Sequence, residues 1–361
     1  MSDVKTSRVG VLGAGQLALM LAEAGKRLGV EVICAGQPGD CAEQVATLVV
    51  VDLNDAEQVA AFAKQVDVVT IESENTEMFV LEGLNVHPNA RAIGIAQDRL
   101  LEKRFFNENG IGCAPFAQVD STEDLQRAVA ELGLPSILKT RRMGYDGKGQ
   151  VRLESSGDIA TALAEVGNVP CILEGMVRFR AEVSLIAARG TTGEIVFYPL
   201  IENVHREGIL RRSTVPFAGA TAELQELAET YLRKILEALE YVGVLAVEFF
   251  VVNRGLLANE MAPRVHNSGH WTIEGSATSQ FENHLRAIAG MELGATTSEP
   301  TVMLNCIGEM PSEVETASTA ALHRHDYGKE ARAGRKVGHI TFAASEREAI
   351  GRWYTRLNPE D

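Results

Sequence analysis

The strongest constraint on the fold is the alternation of strand and helix signals over the first hundred residues. Arg8–Leu12 and Glu31–Ala35 are short apolar runs separated by a helical stretch. Further β-branched runs lie at Thr47–Val51 and Asp67–Ile71, again with a polar helical segment between them. Strands that alternate with helices are typical of βαβ units, whose strands lie parallel in one sheet. The sequence therefore predicts a parallel α/β domain, which we place at residues 1–98.

The pattern changes after residue 98, where strands follow one another with fewer intervening helices. Gly243–Val252 and Leu256–Met261 are two strand-like runs joined by a short turn around Asn253-Arg-Gly255, which predicts a β-hairpin. We expect a central domain of α+β character at 99–290 and a small C-terminal α/β domain at 291–361. The chain as a whole is assigned to the α/β class.

Charge and cysteine content narrow the function classes. The chain has 34 Lys and Arg against 49 Asp and Glu, a net charge of −15. This argues against a nucleic-acid or membrane-surface binder, which needs a positive field. No apolar run approaches the ~18–20 residues of a membrane-spanning helix, and the first residues lack the features of a secretory signal. The five cysteines show no CxxC or zinc spacing, which favours a reduced, cytoplasmic enzyme or binding protein.

A glycine-rich turn follows the first strand. Gly13-Ala-Gly-Gln-Leu-Ala18 partly matches the GxGxxG/A pattern that brings a helix N-terminus to a phosphate. No acidic residue closes the second strand, Val32–Ala35, where a dinucleotide fold would hold the ribose. Three interpretations stay open: the phosphate of some ligand other than a dinucleotide, a dinucleotide, or a purely structural tight turn.

A second glycine-rich segment follows the predicted strand Ile137–Thr140. It carries Lys139, Arg141, Arg142 and Lys148, with glycines at 144, 147 and 149. Glycines permit positive φ, so several backbone N–H groups can converge on an anion beside these cations. The segment is not a Walker A sequence, because no Gly-Lys-Ser/Thr follows. It predicts a triphosphate-binding loop, and the alternative is a solvated hairpin tip.

Two acidic residues interrupt the predicted hairpin. A hairpin centred on Arg254 places Glu248 opposite Glu260, at about 4.5–5.5 Å between Cβ atoms. Two half-buried carboxylates at that separation repel each other and are costly to desolvate. A divalent cation resolves both problems, and oxygen ligands favour Mg²⁺ or Mn²⁺ over zinc. Asn259 falls on the other face unless a bulge intervenes, and a carboxylate pair held by arginines is the alternative.

Two further segments concentrate anion-binding side chains. The turn-rich stretch 261–271 contains Arg264, His266, Asn267, Ser268 and His270 just after the predicted metal ligand. It is either a substrate-binding segment or a polar loop that satisfies its own hydrogen bonds. Closer to the C-terminus, Arg332, Arg335 and Lys336 form a cluster suited to a phosphate monoester, with a solvated surface as the alternative.

Together these motifs resemble the ATP-grasp superfamily, and within it the N5-carboxyaminoimidazole ribonucleotide synthase family of purine biosynthesis. The resemblance covers nearly the whole chain and is carried by 139–150, 259–270, 334–339 and the shorter runs 13–17 and 97–100. It implies a biotin-carboxylase-like N-terminal α/β domain, an ATP-grasp domain and a small C-terminal domain. It also implies a cytoplasmic homodimer that uses ATP and bicarbonate, through carboxyphosphate, to carboxylate the amine of 5-aminoimidazole ribonucleotide.

The resemblance also implies residue roles. Lys139, Asp146, Arg264 and His266 would be catalytic, and Glu248 and Glu260 would hold Mg²⁺ or Mn²⁺. The ATP site would comprise Arg99, Lys139, Gly144, Tyr145, Asp146, Gly147, Lys148, Gly149, Gln150, Glu174, Gly175, Met176, Val177, Glu182, His205, Asn259 and Glu260. The ribonucleotide and bicarbonate would contact Gly15, Gln16, Leu17, Tyr145, Asp146, Arg264, His266, Asn267, Ser268, Arg332, Arg335 and Lys336.

Two positions depart from the family pattern. Many members have glycine where Met143 stands, which predicts a stiffer or reshaped start of the phosphate loop, and Ala18-Leu19 replaces a frequent Gly-Arg. Three rival functions were weighed: another ATP-grasp ligase or transformylase acting on a different amine, an NAD-dependent oxidoreductase, and a non-catalytic nucleotide sensor. The 264–270 and 332–339 motifs favour the aminoimidazole substrate over the first rival. The oxidoreductase leaves the Glu248/Glu260 pair unexplained, and a sensor need not retain the full set of site residues.

Overall fold

A computed structural model of the chain describes residues 7–144, 148–312, 316 and 322–359. Within these ranges the strands form three sheets, two of four strands and one of nine. No helix in these ranges is long and apolar enough to span a membrane. All five cysteines have free thiols, in agreement with the absence of paired spacing in the sequence.

The first sheet confirms the predicted parallel α/β arrangement. Its strand order is β3-β2-β1-β4, and every neighbouring pair is parallel. The elements are β1 (Arg8–Leu12), α1 (Gln16–Leu28), β2 (Glu31–Gly36), β3 (Thr47–Val50), α2 (Ala56–Ala63), β4 (Val68–Ile71) and α3 (Ala90–Ala96). Helix α1 ends at Gly29, whose φ of 70° is the left-handed conformation that a C-terminal glycine adopts easily. The helix packs through Leu21 into a core that it shares with residues of the nine-stranded sheet.

The second sheet is small and antiparallel, with the order β5-β8-β6-β7. Its elements, with the helix that precedes it, are α4 (Arg99–Glu108), β5 (Phe116–Val119), α5 (Thr122–Leu132), β6 (Ser136–Thr140), β7 (Gln150–Leu153), α6 (Ile159–Glu165) and β8 (Cys171–Gly175). Helix α5 begins after Ser121, whose side chain accepts a hydrogen bond from the N–H of Asp124 and so caps the helix.

The nine-stranded sheet runs in the order β14-β13-β9-β11-β12-β15-β17-β16, and β10 pairs with β9. Its strands are β9 (Ala181–Arg189), β10 (Ile195–Phe197), β11 (Ile201–Arg206), β12 (Ile209–Val215), β13 (Gly243–Val252), β14 (Gly255–Ala262), β15 (Thr301–Ile307), β16 (Leu322–Asp326) and β17 (Lys336–Ala343). The remaining helices are α7 (Ala222–Ala238), α8 (Thr272–Gly275), α9 (Gln280–Ile288) and α10 (Arg347–Leu357). Because β12 pairs with β15, one sheet crosses the predicted boundary at 291. The three domain ranges themselves stay predictions.

The hairpin of β13 and β14 differs from the predicted one in a way that matters for the site. Val252 pairs with Gly255, so the turn is Asn253–Arg254 and is not centred on Arg254. The register then shifts: Phe249 pairs with Ala258, but Glu248 pairs with Glu260. Asn259 is thus the extra residue of a β-bulge. Glu248 does oppose Glu260 as predicted, but only because the bulge restores that opposition; the unshifted register would place Asn259 there.

Candidate active site

A cavity of about 780 Å³ lies between the small sheet and the nine-stranded sheet and is closed on a third side by the N-terminal parallel domain. It falls within the usual size range of a small-molecule site. The predicted site residues that line it are Gly15, Gln16, Leu17, Arg99, Lys139, Gly144, Gln150, Glu182, His205, Glu248, Asn259, Glu260, Arg264, His266, Asn267 and Lys336. Residues separated by more than three hundred positions in the sequence, such as Gly15 and Lys336, therefore meet in one place.

Other predicted site residues are placed differently. Tyr145, Asp146 and Gly147 lie outside the described residues, so their assignment stays a prediction. The described candidates that do not line the cavity are Lys148, Gly149, Glu174, Gly175, Met176, Val177, Ser268, Arg332 and Arg335. Glu174 and Ser268 nevertheless contact residues that do, and their roles follow from those contacts.

The first glycine-rich turn is closed by a carboxylate of the protein itself. Glu72, directly after β4, accepts hydrogen bonds from the backbone N–H of Gly15 at 2.7 Å and of Leu17 at 3.0 Å. A Cβ on Gly13 or Gly15 would lie 2.6 Å from atoms of the Glu72 side chain. The glycines thus make room for Glu72, whose negative charge is favourable at the N-terminus of α1.

The second glycine-rich segment presents a lysine to the cavity. Lys139, on β6, donates from Nζ to Glu174 Oε2 at 2.9 Å, and Lys103 Nζ lies 3.8 Å from the same oxygen. Burial alone raises the pKa of Glu174, but the charges of Lys103 and Lys139 outweigh it and lower this pKa to about 2. Glu174 is therefore a buried counter-ion that stands behind Lys139 and leaves the cavity side of the lysine accessible.

The arginines of this segment are engaged elsewhere. Arg141 donates to both carboxylate oxygens of Asp98, from Nη2 at 2.6 Å and from Nε at 3.0 Å. Arg142 Nη2 donates to the side-chain oxygen of Gln97 at 2.5 Å. These contacts join the end of β6 to the start of α4, where Asp98 also caps the helix through the N–H of Leu100. Part of the positive charge that the sequence predicts for this segment is therefore paired with a carboxylate inside the protein.

The carboxylate pair has two distinct environments. Arg99 Nη1 donates to Glu260 Oε2 at 3.1 Å, whereas Glu248 Oε1 lies 3.9 Å from His205 Nε2 and 3.8 Å from His266 Nε2. Burial and the charge of Glu260 raise the pKa of Glu248. For Glu260, the charge and hydrogen bond of Arg99 outweigh burial and lower the pKa. The arginine alternative considered for this pair is thus realised at Glu260 alone.

This donor set fits a hard divalent cation. Each member offers carboxylate oxygens to the cavity, and burial together with the nearby charge of Glu260 raises the pKa of Glu248. Within the described ranges, no group of three or more His, Cys, Asp and Glu side chains is arranged to hold a metal by itself. Magnesium is commonly bound by one or two carboxylates together with substrate phosphates, which matches a pair of this kind.

His266 is held in one orientation from behind. Its Nδ1 accepts a hydrogen bond from the backbone N–H of Ser268 at 3.3 Å and contacts Ser268 Oγ at 2.9 Å. Burial and the charge of Arg264 lower the pKa of His266 to about 3. The ring is therefore neutral at pH 7, and because Nδ1 accepts, we assign its proton to Nε2. His266 thus offers the cavity a hydrogen-bond donor.

Arg264 is fixed by a residue that the sequence reading overlooked. Glu74 accepts from Arg264 Nε at 2.5 Å and from Nη2 at 3.0 Å. Burial lowers the pKa of Arg264, but the carboxylate of Glu74 and its hydrogen bonds outweigh this effect and raise it. The pairing joins the loop after β4 to the loop after β14, so the N-terminal domain positions a side chain of the central one.

Besides Glu74, the cavity residues Glu72, Phe179 and Phe250 were not predicted from the sequence. Glu72 and Glu74 directly follow a buried parallel strand, and the carboxyl ends of parallel strands are where ligands bind; that position was a usable signal. Phe179 and Phe250 stack at 4.7 Å between ring centroids and line the cavity. Their proximity depends on the pairing of β9 with β13 and had no local sequence signature.

The C-terminal basic cluster contributes unequally. Lys336 lines the cavity, whereas Arg332 is exposed and Arg335 donates from Nη1 to the backbone oxygen of Glu330 at 3.3 Å. Asn267 and Asn305 exchange side-chain hydrogen bonds at 2.7 and 3.1 Å, which ties the 264–270 segment to β15. Lys336 is the member of the cluster that is placed to meet a ligand.

Comparison with known proteins identifies three consecutive domain families along the chain. The ribonucleotide synthetase preATP-grasp domain matches residues 6–97, and the ATP-grasp domain matches residues 104–281. The phosphoribosylaminoimidazole carboxylase C-terminal domain matches residues 301–352. The order agrees with the three-part organisation that the resemblance implied.

Whole-chain relatives agree with this order. The chain is 48% identical over 349 residues to N5-carboxyaminoimidazole ribonucleotide synthase of Pseudomonas aeruginosa, covering 95% of this chain and 96% of that protein. The crystal structure of the corresponding synthetase from Thermus thermophilus matches with a TM-score of 0.92 at 48% identity, over 97% and 98% of the two chains. A synthase from Aspergillus clavatus, in complex with ADP and 5-aminoimidazole ribonucleotide, matches with a TM-score of 0.89 at 30% identity, over 98% of each chain.

Proposed function

The chain belongs to the N5-carboxyaminoimidazole ribonucleotide synthase family, and we propose that it carboxylates the exocyclic amine of 5-aminoimidazole ribonucleotide with ATP and bicarbonate. As a member of that family it is an ATP-grasp ligase. In the first step a bicarbonate oxygen takes the γ-phosphoryl group, which gives carboxyphosphate and ADP. In the second, the amine nitrogen bonds to the carboxyl carbon, the C–O bond to phosphate breaks with its electron pair on the phosphate oxygen, and the departing phosphate takes up the proton that the amine loses.

One observation carries this proposal: the cavity joins three kinds of site that the reaction needs at once. Lys139 and Arg99 supply cations on one side, the opposed Glu248 and Glu260 form the carboxylate pair, and Arg264 lies in the same cavity. A nucleotide-binding module alone would not require the third set. An acyl-phosphate ligase requires all of them close together.

Phosphoryl transfer needs positive charge around the γ-phosphate and bridging oxygens. Lys139 is held by Glu174 from behind, and Arg99 Nη2 donates to the carbonyl of Gly144 at 3.1 Å, at the start of the phosphate loop. Glu248 and Glu260 would hold Mg²⁺, which when bound neutralises phosphate charge. These fixed cations cost little reorganisation when charge moves in the transition state.

Bicarbonate and carboxyphosphate are anions, so they need donors rather than bases. Arg264 provides a guanidinium already oriented by Glu74, and His266 provides an Nε2–H oriented by Ser268. We assign both to the carboxyl and phosphate oxygens of the intermediate, where they raise the electrophilicity of its carbon.

The ribonucleotide end lies toward the N-terminal and C-terminal domains. Lys336 and the Gly15-Gln16-Leu17 turn line this part of the cavity, and Lys336 would bind the phosphate monoester. The turn amides of Gly15 and Leu17 already bind Glu72. Contacts from this turn to the ribonucleotide would therefore come from Gln16. Tyr145 and Asp146 are assigned to the substrate by resemblance.

We also propose that the enzyme acts in the cytoplasm as a homodimer. The five free thiols support a reducing compartment, and the resemblance supports the dimer. Light scattering coupled to size exclusion would measure the mass in solution. A mass of one 39.0 kDa chain at working concentrations would contradict the dimer without affecting the proposed chemistry.

The test is ADP release with ATP, Mg²⁺ and bicarbonate, with and without 5-aminoimidazole ribonucleotide. We expect strong stimulation by the ribonucleotide that depends on bicarbonate, and loss of turnover in Glu260→Gln. ATP binding without stimulation would leave the ATP-grasp assignment standing and exclude this acceptor. Full activity of Glu260→Gln would show that the metal assignment is wrong.

A further inference from the structure

One face of helix α4 contacts three successive residues of β14. Arg99, Glu102 and Lys103 are spaced i, i+3 and i+4, which places them on one side of a helix. Arg99 binds the side chain of Glu260, Glu102 Oε1 accepts from the N–H of Met261 at 2.6 Å, and Lys103 Nζ donates to the carbonyl of Asn259 at 2.7 Å. The helix therefore forms hydrogen bonds with the backbone of the residues immediately before and after Glu260.

These backbone groups need external partners because of where they lie. Strand β14 is the last strand of its sheet in the described residues. At Ala258 its outer edge pairs with the segment at Gly112 and Cys113 through an isolated bridge, and no described strand continues this pairing along Asn259–Met261. The bulge at Asn259 also interrupts the regular ladder with β13. Buried backbone donors and acceptors without partners are costly, and α4 supplies the missing partners.

The two side chains involved are among the least accessible ionisable groups in the described residues. Glu102 is 2% exposed and Lys103 is 1% exposed. Charged groups are buried to this extent only where they are paired. Glu102 borders the cavity, but its Oε1 binds Met261, and Lys103 Nζ binds Asn259 and lies near Glu174. The proposed chemistry assigns no step to either residue.

We propose that Glu102 and Lys103 are positioning residues that fix the bulge at Asn259 and thereby hold Glu260 opposite Glu248. The inference rests on the proposed metal role of that carboxylate pair. If the bulge relaxed into regular pairing, the register of the turn would place Asn259 opposite Glu248 instead. A single residue of slippage would turn Glu260 to the other face of the strand and separate the two carboxylates.

The decisive measurement is Mn²⁺ affinity in the presence of ADP, followed by electron paramagnetic resonance and by calorimetry, without turnover. Lys103→Met should weaken Mn²⁺ binding by about tenfold or more, the usual effect of removing a group that orients a metal ligand. Glu102→Leu should do the same, whereas Glu102→Gln should retain affinity because its amide oxygen still accepts from the N–H of Met261.

Arg104→Met is the matched control, because Arg104 is exposed on the same helix and donates to Gln118 rather than to β14. Glu260→Gln is the benchmark for the metal site itself. If Glu260→Gln keeps wild-type Mn²⁺ affinity, the proposed metal pair is wrong. If it loses affinity while folded Lys103→Met keeps it, or if Glu102→Gln and Glu102→Leu bind Mn²⁺ equally, the positioning role is wrong and the metal pair stands.

Discussion

Two glycine-rich turns follow two apolar strands in this protein, and the structure uses them in opposite ways. The turn after β1 directs the amides of Gly15 and Leu17 at Glu72, a carboxylate of the same chain. Beside the second turn, Lys139 at the end of β6 lines the cavity, and its carboxylate partner, Glu174 on β8, lies behind the lysine. The first turn is an anion-binding position that a side chain of the protein already occupies. The second turn leaves its lysine accessible from the cavity.

The difference shows that glycine spacing alone does not tell a ligand site from a structural one. Glycines allow another group to lie close to the backbone, but the rest of the fold determines which group that is. In the first turn that group comes from the end of β4, and at Lys139 the nearest carboxylate comes from β8, on the side away from the cavity. Five experiments test this contrast.

The largest effect is expected at the open site. Lys139→Met should reduce kcat/KM for ATP by about 10²–10³, the usual loss when a preorganised charge at a transition state is removed. Arg152→Met is a suitable control, since Arg152 is exposed on the neighbouring strand β7 and contacts Glu154. Near-normal turnover of Lys139→Met would show that the second turn is not a functional ligand site, so the two turns would not differ in this way.

The second experiment tests the counter-ion of the open site. The pKa of Glu174 is lowered from 4.5 to about 2, so its ion pairs stabilise the protein above pH 4.5 and this stability is lost as pH falls toward 2. Such a shift corresponds to about 3 kcal/mol.

Denaturant unfolding of wild type and Glu174→Gln should therefore give a stability difference that is largest above pH 4.5 and shrinks at lower pH. Glu154→Gln removes an exposed carboxylate nearby and serves as the control. A difference that stays constant down to pH 2.5 would mean that Glu174 is not held ionised by Lys103 and Lys139.

The third experiment opens the filled site. Glu72→Ala removes the acceptor for the amides of Gly15 and Leu17 and should lower stability by about 1–3 kcal/mol, the cost of leaving buried donors unpaired. Sulfate should then raise the melting temperature of the variant more than that of wild type, because the vacated helix N-terminus can take an anion. Equal sulfate effects in both proteins would show that Glu72 does not occupy an anion site.

The fourth experiment separates the two ends of the cavity. Lys336→Ala should raise the KM for the ribonucleotide by about tenfold through loss of a charged contact and leave the KM for ATP nearly unchanged. Arg332→Ala, which removes an exposed cation outside the cavity, should have a smaller effect. If steady-state kinetics showed a larger rise in this KM for Arg332→Ala than for Lys336→Ala, the phosphate site would not be at Lys336.

The smallest effect is expected at the start of the phosphate loop. Met143 has φ of 62° and is 68% exposed. A non-glycine residue therefore adopts a left-handed conformation here, and little side-chain packing offsets the strain. Met143→Gly should stabilise the protein by about 0.5 kcal/mol, since relief of strain exceeds the added entropy of glycine. A lower melting temperature for this variant would show that Met143 makes compensating contacts.

Much of the fold and part of the site followed from local patterns. The alternating elements of residues 1–98 predicted the parallel sheet, because each strand and helix carries its own periodicity. The opposition of Glu248 and Glu260 was predicted from hairpin geometry. The predicted centre of the turn was wrong by half a residue, and the bulge compensates for that offset. Cations near Lys139 were recognised from composition, but the engagement of Arg141 by Asp98 was not.

By itself the sequence determined the order of the elements, the hairpin of β13 and β14, and the motifs that place the chain in its family. These depend on neighbours a few residues apart, which a linear pattern records. Only the tertiary structure decided that Glu72 fills the first turn, that Glu74 orients Arg264 and that α4 holds the bulge beside Glu260. Each of those contacts joins residues 57 to 190 positions apart, and their partners are chosen by packing of the domains rather than by any local propensity.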